Sequence, residues 1–63
     1  MSLGKTWFDL KEASGKFGLS KEQILTWVDD GLVRYEAENG VVVRVNGDDL
    51  TLELEAYIHP EES

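Results

Sequence analysis

Four cations and two neutral hydrogen-bonding side chains are spaced so that they could meet a polyanion. Lys16, Lys21, Arg34 and Arg44 can each neutralise a phosphate. Gln23 and Thr26 lie just beyond Lys21. A glutamine can bond adenine at two atoms, and a lysine can reach guanine. A second set interleaves with the first. Glu22, Leu25 and Asp29 are three and four residues apart, the spacing of one helical face. Together they would make an apolar anchor flanked by carboxylates, a pattern suited to a small protein contact. One exposed leucine is ordinary by itself, and solvated charges are ordinary too.

Other chemistry has little to stand on. His59 is the sole histidine and cysteine is absent, so no hydroxyl or thiol has an identifiable base. His59 reads as a residue near a helix C-terminus. Those residue types cannot build the usual zinc site. Asn46-Gly47-Asp48-Asp49 lacks the alternating carboxylates and distant glutamate of a calcium loop. No phosphate-binding glycine motif occurs. The expectation is a non-enzymatic protein with no catalytic residue, metal or cofactor.

These side chains must be positioned by one small domain, since the chain has 63 residues and so buries a modest share of its surface. Without cysteine, no disulfide supports it. A hydrophobic content of 41% is close to that of globular chains. The longest apolar run is Val41-Val42-Val43, far short of a membrane span. The start carries no signal-peptide pattern, so the expected compartment is cytoplasmic. The net charge of −7 opposes general attraction to nucleic acid or anionic lipid. Yet residues 1–35 are balanced: Lys5, Lys11, Lys16, Lys21 and Arg34 against Asp9, Glu12, Glu22, Asp29 and Asp30. The entire excess lies in 36–63, where Arg44 faces Glu36, Glu38, Asp48, Asp49, Glu53, Glu55, Glu61 and Glu62. Two surfaces at different potentials are therefore expected.

Local signals mark the elements. Thr6-Trp7-Phe8 is a short apolar start. Asp9-x-x-Glu12 has the form of a capping box. Leu10, Ala13 and Phe17 share one helical face, and Gly18 ends that helix. Ser20-x-x-Gln23 opens a second helix, about 21–30, which Gly31 closes. Its inner face is Ile24, Trp27 and Val28, and Trp27 is expected in the core. Two helices joined by Gly18-Leu19-Ser20 make a tight helix-turn-helix. Asn39-Gly40 favours a hairpin turn before the valine-rich 41–45. Residues 50–58 are ambiguous. Leu50, Leu52, Leu54, Ala56 and Ile58 alternate as a strand does, while Leu50, Leu54, Tyr57 and Ile58 fit one helical face. Asn46-Gly47 could also turn a third strand. Helix is preferred for its leucine, glutamate and alanine content and for Asp48-Asp49 at its start.

Residues 8–45 resemble the winged-helix domain of MerR-type regulators and the related excisionase-like proteins. The resemblance is carried by LKEASGKFGLSKEQILTWVDDGLV, Leu10 to Val33. Trp27 matches an aromatic common in the second helix of excisionase-like members, and LEAYI, Leu54 to Ile58, looks like the short helix after their wing. The resemblance implies a DNA-binding regulatory module whose second helix is the recognition helix. One departure is plain. The family places basic residues in the middle and end of that helix, where this chain has Leu25, Thr26, Asp29 and Asp30. An acidic second helix is more similar to that of chaperone-modulator proteins, which bind a protein.

The fold class expected is thus α+β, mostly helical: a winged helix-turn-helix with a two-stranded wing and a C-terminal helix. Its organisation is a flexible N-terminal segment (1–5), a domain (6–59) and a flexible tail (60–63). The leading expectation is double-stranded DNA bound by Lys16, Lys21, Gln23, Thr26, Arg34 and Arg44. Lys11, near Lys16, could join them. Roughly four to five phosphate contacts give modest affinity, so a homodimer or larger assembly is expected. The alternative is a protein-interaction adaptor using Glu22, Leu25 and Asp29. Neither involves a membrane.

Overall fold

The computed structural model describes residues 5–58. His59, the tail 60–63 and all but Lys5 of the N-terminal segment lie outside the described residues. The elements are β1 (Trp7–Asp9), α1 (Leu10–Phe17), α2 (Lys21–Asp29), β2 (Tyr35–Glu38), β3 (Val41–Asn46) and α3 (Gly47–Ile58). The class is α+β. Helices make up about half of the described residues.

Each helix starts where a side chain satisfies its free N–H groups. Asp9 accepts the Glu12 N–H at 2.7 Å, and Glu12 accepts the Asp9 N–H at 3.3 Å. The capping box is complete. For α2, Ser20 Oγ accepts the Gln23 N–H at 3.0 Å, and only that half of the expected box forms. Stops are equally local. Gly18 has φ 68° and donates to the Ser14 carbonyl at 3.0 Å. Gly31, with φ 81°, donates to Val28, and Leu32 donates to Trp27. That pair of bonds is a Schellman end.

Asn39 and Gly40 both have positive φ, 53° and 79°, as the tight hairpin turn requires. The sheet is not the hairpin alone. Three antiparallel strands run in the order β1-β3-β2, and the short apolar start pairs with β3, Phe8 opposite Val45. This corrects the two-stranded expectation. Three residues are too few for strand periodicity to show in the sequence.

A bulge sets the face of β3. Glu36 pairs with Arg44 but Ala37 pairs with Val42, so Val43 is the extra residue. Val42 and Val45 are three apart and would otherwise face opposite sides. The bulge lets both turn to the helices: Val45 is fully buried and Val42 packs against the core. That core holds Phe8, Ala13, Leu19, Ile24, Trp27, Val28, Val33, Val45 and Leu50. Trp27 is buried as its spacing predicts, and its ring meets Tyr57 edge-on at 5.9 Å.

Residues 50–58 are helical, and α3 begins three residues earlier, at Gly47. Its first turn is built by the strand it leaves. The buried Asn46 side chain accepts the Asp49 N–H at 2.9 Å. Gly47 N–H donates to the Thr6 carbonyl at 2.7 Å. Leu50 and Leu54 take the inward face, while Leu52, Tyr57 and Ile58 stay exposed. Among the described residues no helix is long and apolar enough to cross a membrane.

A methyl group on Gly47 would lie 2.5 Å from the Phe8 ring and 3.2 Å from the Thr6 carbonyl oxygen. Gly47→Ala is therefore expected to cost about 1–3 kcal/mol through overpacking. Urea unfolding checks this. Wild-type stability in the variant would mean that the β1–α3 contact is looser than described.

Candidate recognition surface

Helix α2 is buried along Ile24, Trp27 and Val28 and exposed at Lys21, Glu22, Thr26, Asp29 and Asp30. Leu25 lies between, 37% exposed. Gln23 is half-buried. The outward set inferred from periodicity is outward here. Thr26 differs in one respect: its hydroxyl donates to the Glu22 carbonyl at 2.9 Å, so the proton is spent within the helix and an acceptor lone pair is left for a ligand.

The cations divide into two groups. Lys16 and Lys21 flank the α1–α2 turn and are exposed. Neither has a carboxylate partner among the described residues. The Lys16 ammonium lies 5.8 Å from the Phe8 ring centre and 6.0 Å from that of Phe17. The arginines are committed. Arg34 meets Asp49 with two side-chain bonds, Nε at 2.9 Å and Nη2 at 3.1 Å. Its backbone N–H donates to the same carboxylate at 2.9 Å. Arg44 Nη1 donates to Glu36 at 3.1 Å, its cross-strand partner. The sequence placed both arginines as free phosphate ligands. The structure places each against a carboxylate that only strand register or the α3 start brings near.

The Arg34–Asp49 contact leaves an electrostatic mark. The Arg34 guanidinium and backbone N–H hold the Asp49 carboxyl below its ordinary range. The same contact raises Arg34. Lys5, bonding both Glu12 oxygens at 2.8 Å, lowers Glu12 together with the Asp9 N–H.

Leu25 and Asp29 come together with residues that spacing along α2 does not reveal. They form a groove with Val28 on the same helix and with Tyr35, Ala37, Gly40 and Val42 of the hairpin. Apart from Asp29 and the Tyr35 hydroxyl, the side chains that line it are apolar. Tyr35 and Ala37 alternate with Glu36 and Glu38, a period-two signal of an inner and an outer face. That signal was present in the sequence. What it lacked was any indication that α2 lies over the inner face. Glu22, the third member of the acidic set, is not among the residues lining the groove. Among the described residues, no cluster of acidic or histidine side chains could hold a metal ion.

Asp49 titrates lower in the folded chain than in the unfolded one, so its contribution is present above the ordinary aspartate pKa. It is lost as pH falls through the lowered folded value. Asp49→Ala is expected to cost about 1–2 kcal/mol near neutrality, with the deficit shrinking toward about pH 2. Denaturant titrations at both pH values test this. An equal deficit at both would remove the ion pair as its cause.

Comparison with protein-family models, curated proteins and solved structures finds no match for this chain.

Proposed function

We propose that this chain is a winged helix-turn-helix module of MerR- or excisionase-like type that binds double-stranded DNA in regulation. In this reading α2 is the recognition helix and the β2–β3 hairpin is the wing. The observation that carries it is the stance of α2. One face is buried, the opposite face is exposed from Lys21 to Asp30, and the hairpin follows within a few residues. The N-terminal part of a recognition helix contacts base edges in such docking. Lys21 and Gln23 stand there, with Thr26 one turn on. Lys16, exposed across the turn, would meet phosphate. Asp29 and Asp30 occupy the far end of the helix, away from this contact.

The ion pairs refine the reading. With Arg34 and Arg44 held by Asp49 and Glu36, the cations at hand beside the α1–α2 turn are Lys16 and Lys21, and Lys11 is exposed earlier on α1. The Arg44–Glu36 pair is exposed on both sides, so it contributes little and can be exchanged for phosphate, whereas Arg34 is held by three bonds to the largely buried Asp49. Affinity is therefore modest and calls for a second copy or a larger assembly. The plot of log affinity against log salt should have a slope of about −2 for Lys16 and Lys21 alone. It would approach about −4 if both arginines release their partners.

A second reading is a non-enzymatic protein-interaction adaptor. The groove favours it, because Leu25 and Asp29 stand there beside Tyr35, Ala37 and Val42. Apolar anchors in a partly formed pocket are typical of small protein contacts.

Fluorescence anisotropy with a labelled mixed-sequence duplex separates the two. On the DNA reading, Lys21→Glu weakens binding to every duplex and Leu25→Ala changes it little. Glu36→Gln, which frees Arg44, tightens binding and steepens the salt slope by about one. Unchanged DNA affinity in Lys21→Glu removes the proposed groove contact. Absence of binding even at low salt, where charge attraction is strongest, leaves the adaptor reading.

A further inference from the structure

We propose that the outer edge of β2 accepts an extended segment of a partner protein as a fourth strand, the segment alternating basic and apolar residues. This rests on the adaptor reading of the groove and specifies its partner.

The sheet order leaves β2 at an edge. No described segment pairs with its outer side, and all four of its residues are exposed. An unpaired edge offers a row of N–H and C=O groups to any extended chain. Main-chain bonds of that kind supply affinity, and alternate side chains supply specificity.

The two faces of β2 state what those side chains should be. Tyr35 and Ala37 point toward the groove and pair with Val45 and Val42. A strand added beside them would turn every second side chain toward Leu25 and Val28. Those positions suit valine or isoleucine. Glu36 and Glu38 occupy the other face. Glu36 already has Arg44, while Glu38 has no ion-pair partner among the described residues. Opposite-charge cross-strand pairs stabilise and like-charge pairs oppose. The alternate positions, on the face of Glu36 and Glu38, therefore suit lysine or arginine.

The same chemistry argues against a second copy of this chain as the occupant. Antiparallel pairing of β2 with itself, centred on Ala37, would set Glu36 opposite Glu38. Each copy also brings a net charge of −7.

The test is amide NMR of the 15N-labelled chain, titrated with a peptide of alternating valine and lysine, about eight residues long. The expected result is slowed amide exchange within 35–38 together with shifts at Leu25 and Asp29. Leu25→Asp should weaken the complex by about tenfold or more. Leu25 is partly exposed, so the variant's unchanged spectrum elsewhere checks its fold. Glu38→Lys should weaken the same peptide and favour one alternating valine and glutamate. Shifts confined to α2, with no slowed exchange in β2, would overturn strand addition and leave the adaptor reading standing. No shifts at millimolar-scale peptide would overturn both. Concentration-dependent protection of β2 without peptide would overturn the choice of partner in favour of a second copy.

Discussion

The passage from β3 into α3 is the constraint on which the rest of the molecule depends. Within four residues the chain must leave the central strand, begin a helix and let β1 approach closely. Asn46 and Gly47 make this possible in different ways. Asn46 is a buried polar group, a costly thing unless it is bonded. Its N–H donates to the Arg34 carbonyl and its side chain accepts the Asp49 N–H. Gly47 has no side chain where Phe8 and the Thr6 backbone press against it. Asp49 then receives Arg34 through three bonds. The segment before β2, the two other strands and the first turn of α3 therefore meet at one junction. It fixes where β1 lies against the central strand and where Leu50 enters the core.

That junction also shapes the electrostatics of the candidate recognition surface. A guanidinium held by a carboxylate is no longer a free counter-charge for phosphate. Arg34 is spent on fastening α3, and Arg44 on a cross-strand pair. The positive charge left unpaired near α2 is that of the lysines at the α1–α2 turn. The sharing of cations between structure and recognition follows from chain geometry, not from their number. The same geometry leaves Leu25 and Asp29 beside Tyr35, Ala37 and Val42 of the hairpin, so the proposed protein-binding groove and the proposed DNA-reading helix end would share one element.

Much of the molecule was legible because its signals act over a few residues. Asp9 with Glu12, Ser20 with Gln23, and the glycines at 18, 31 and 40 each determine a start, a stop or a turn through bonds inside one turn of chain. Helical spacing was enough to bury Ile24, Trp27 and Val28 and to turn Glu22, Leu25 and Asp29 outward. For 50–58, two periodicities fitted equally well. Local propensity favoured helix, and the Asn46 cap shows the physical reason that it forms.

What the sequence by itself determined, then, was the set of helices, the hairpin turn and the buried face of α2, because these depend on neighbours along the chain. Tertiary structure alone decided the third strand, the bulge at Val43, the partners of Arg34 and Arg44, and the groove beneath Leu25. Each of those brings together residues far apart in sequence. Register, not composition, sets which atoms meet, and a shift of one residue in a strand reverses every side chain on it.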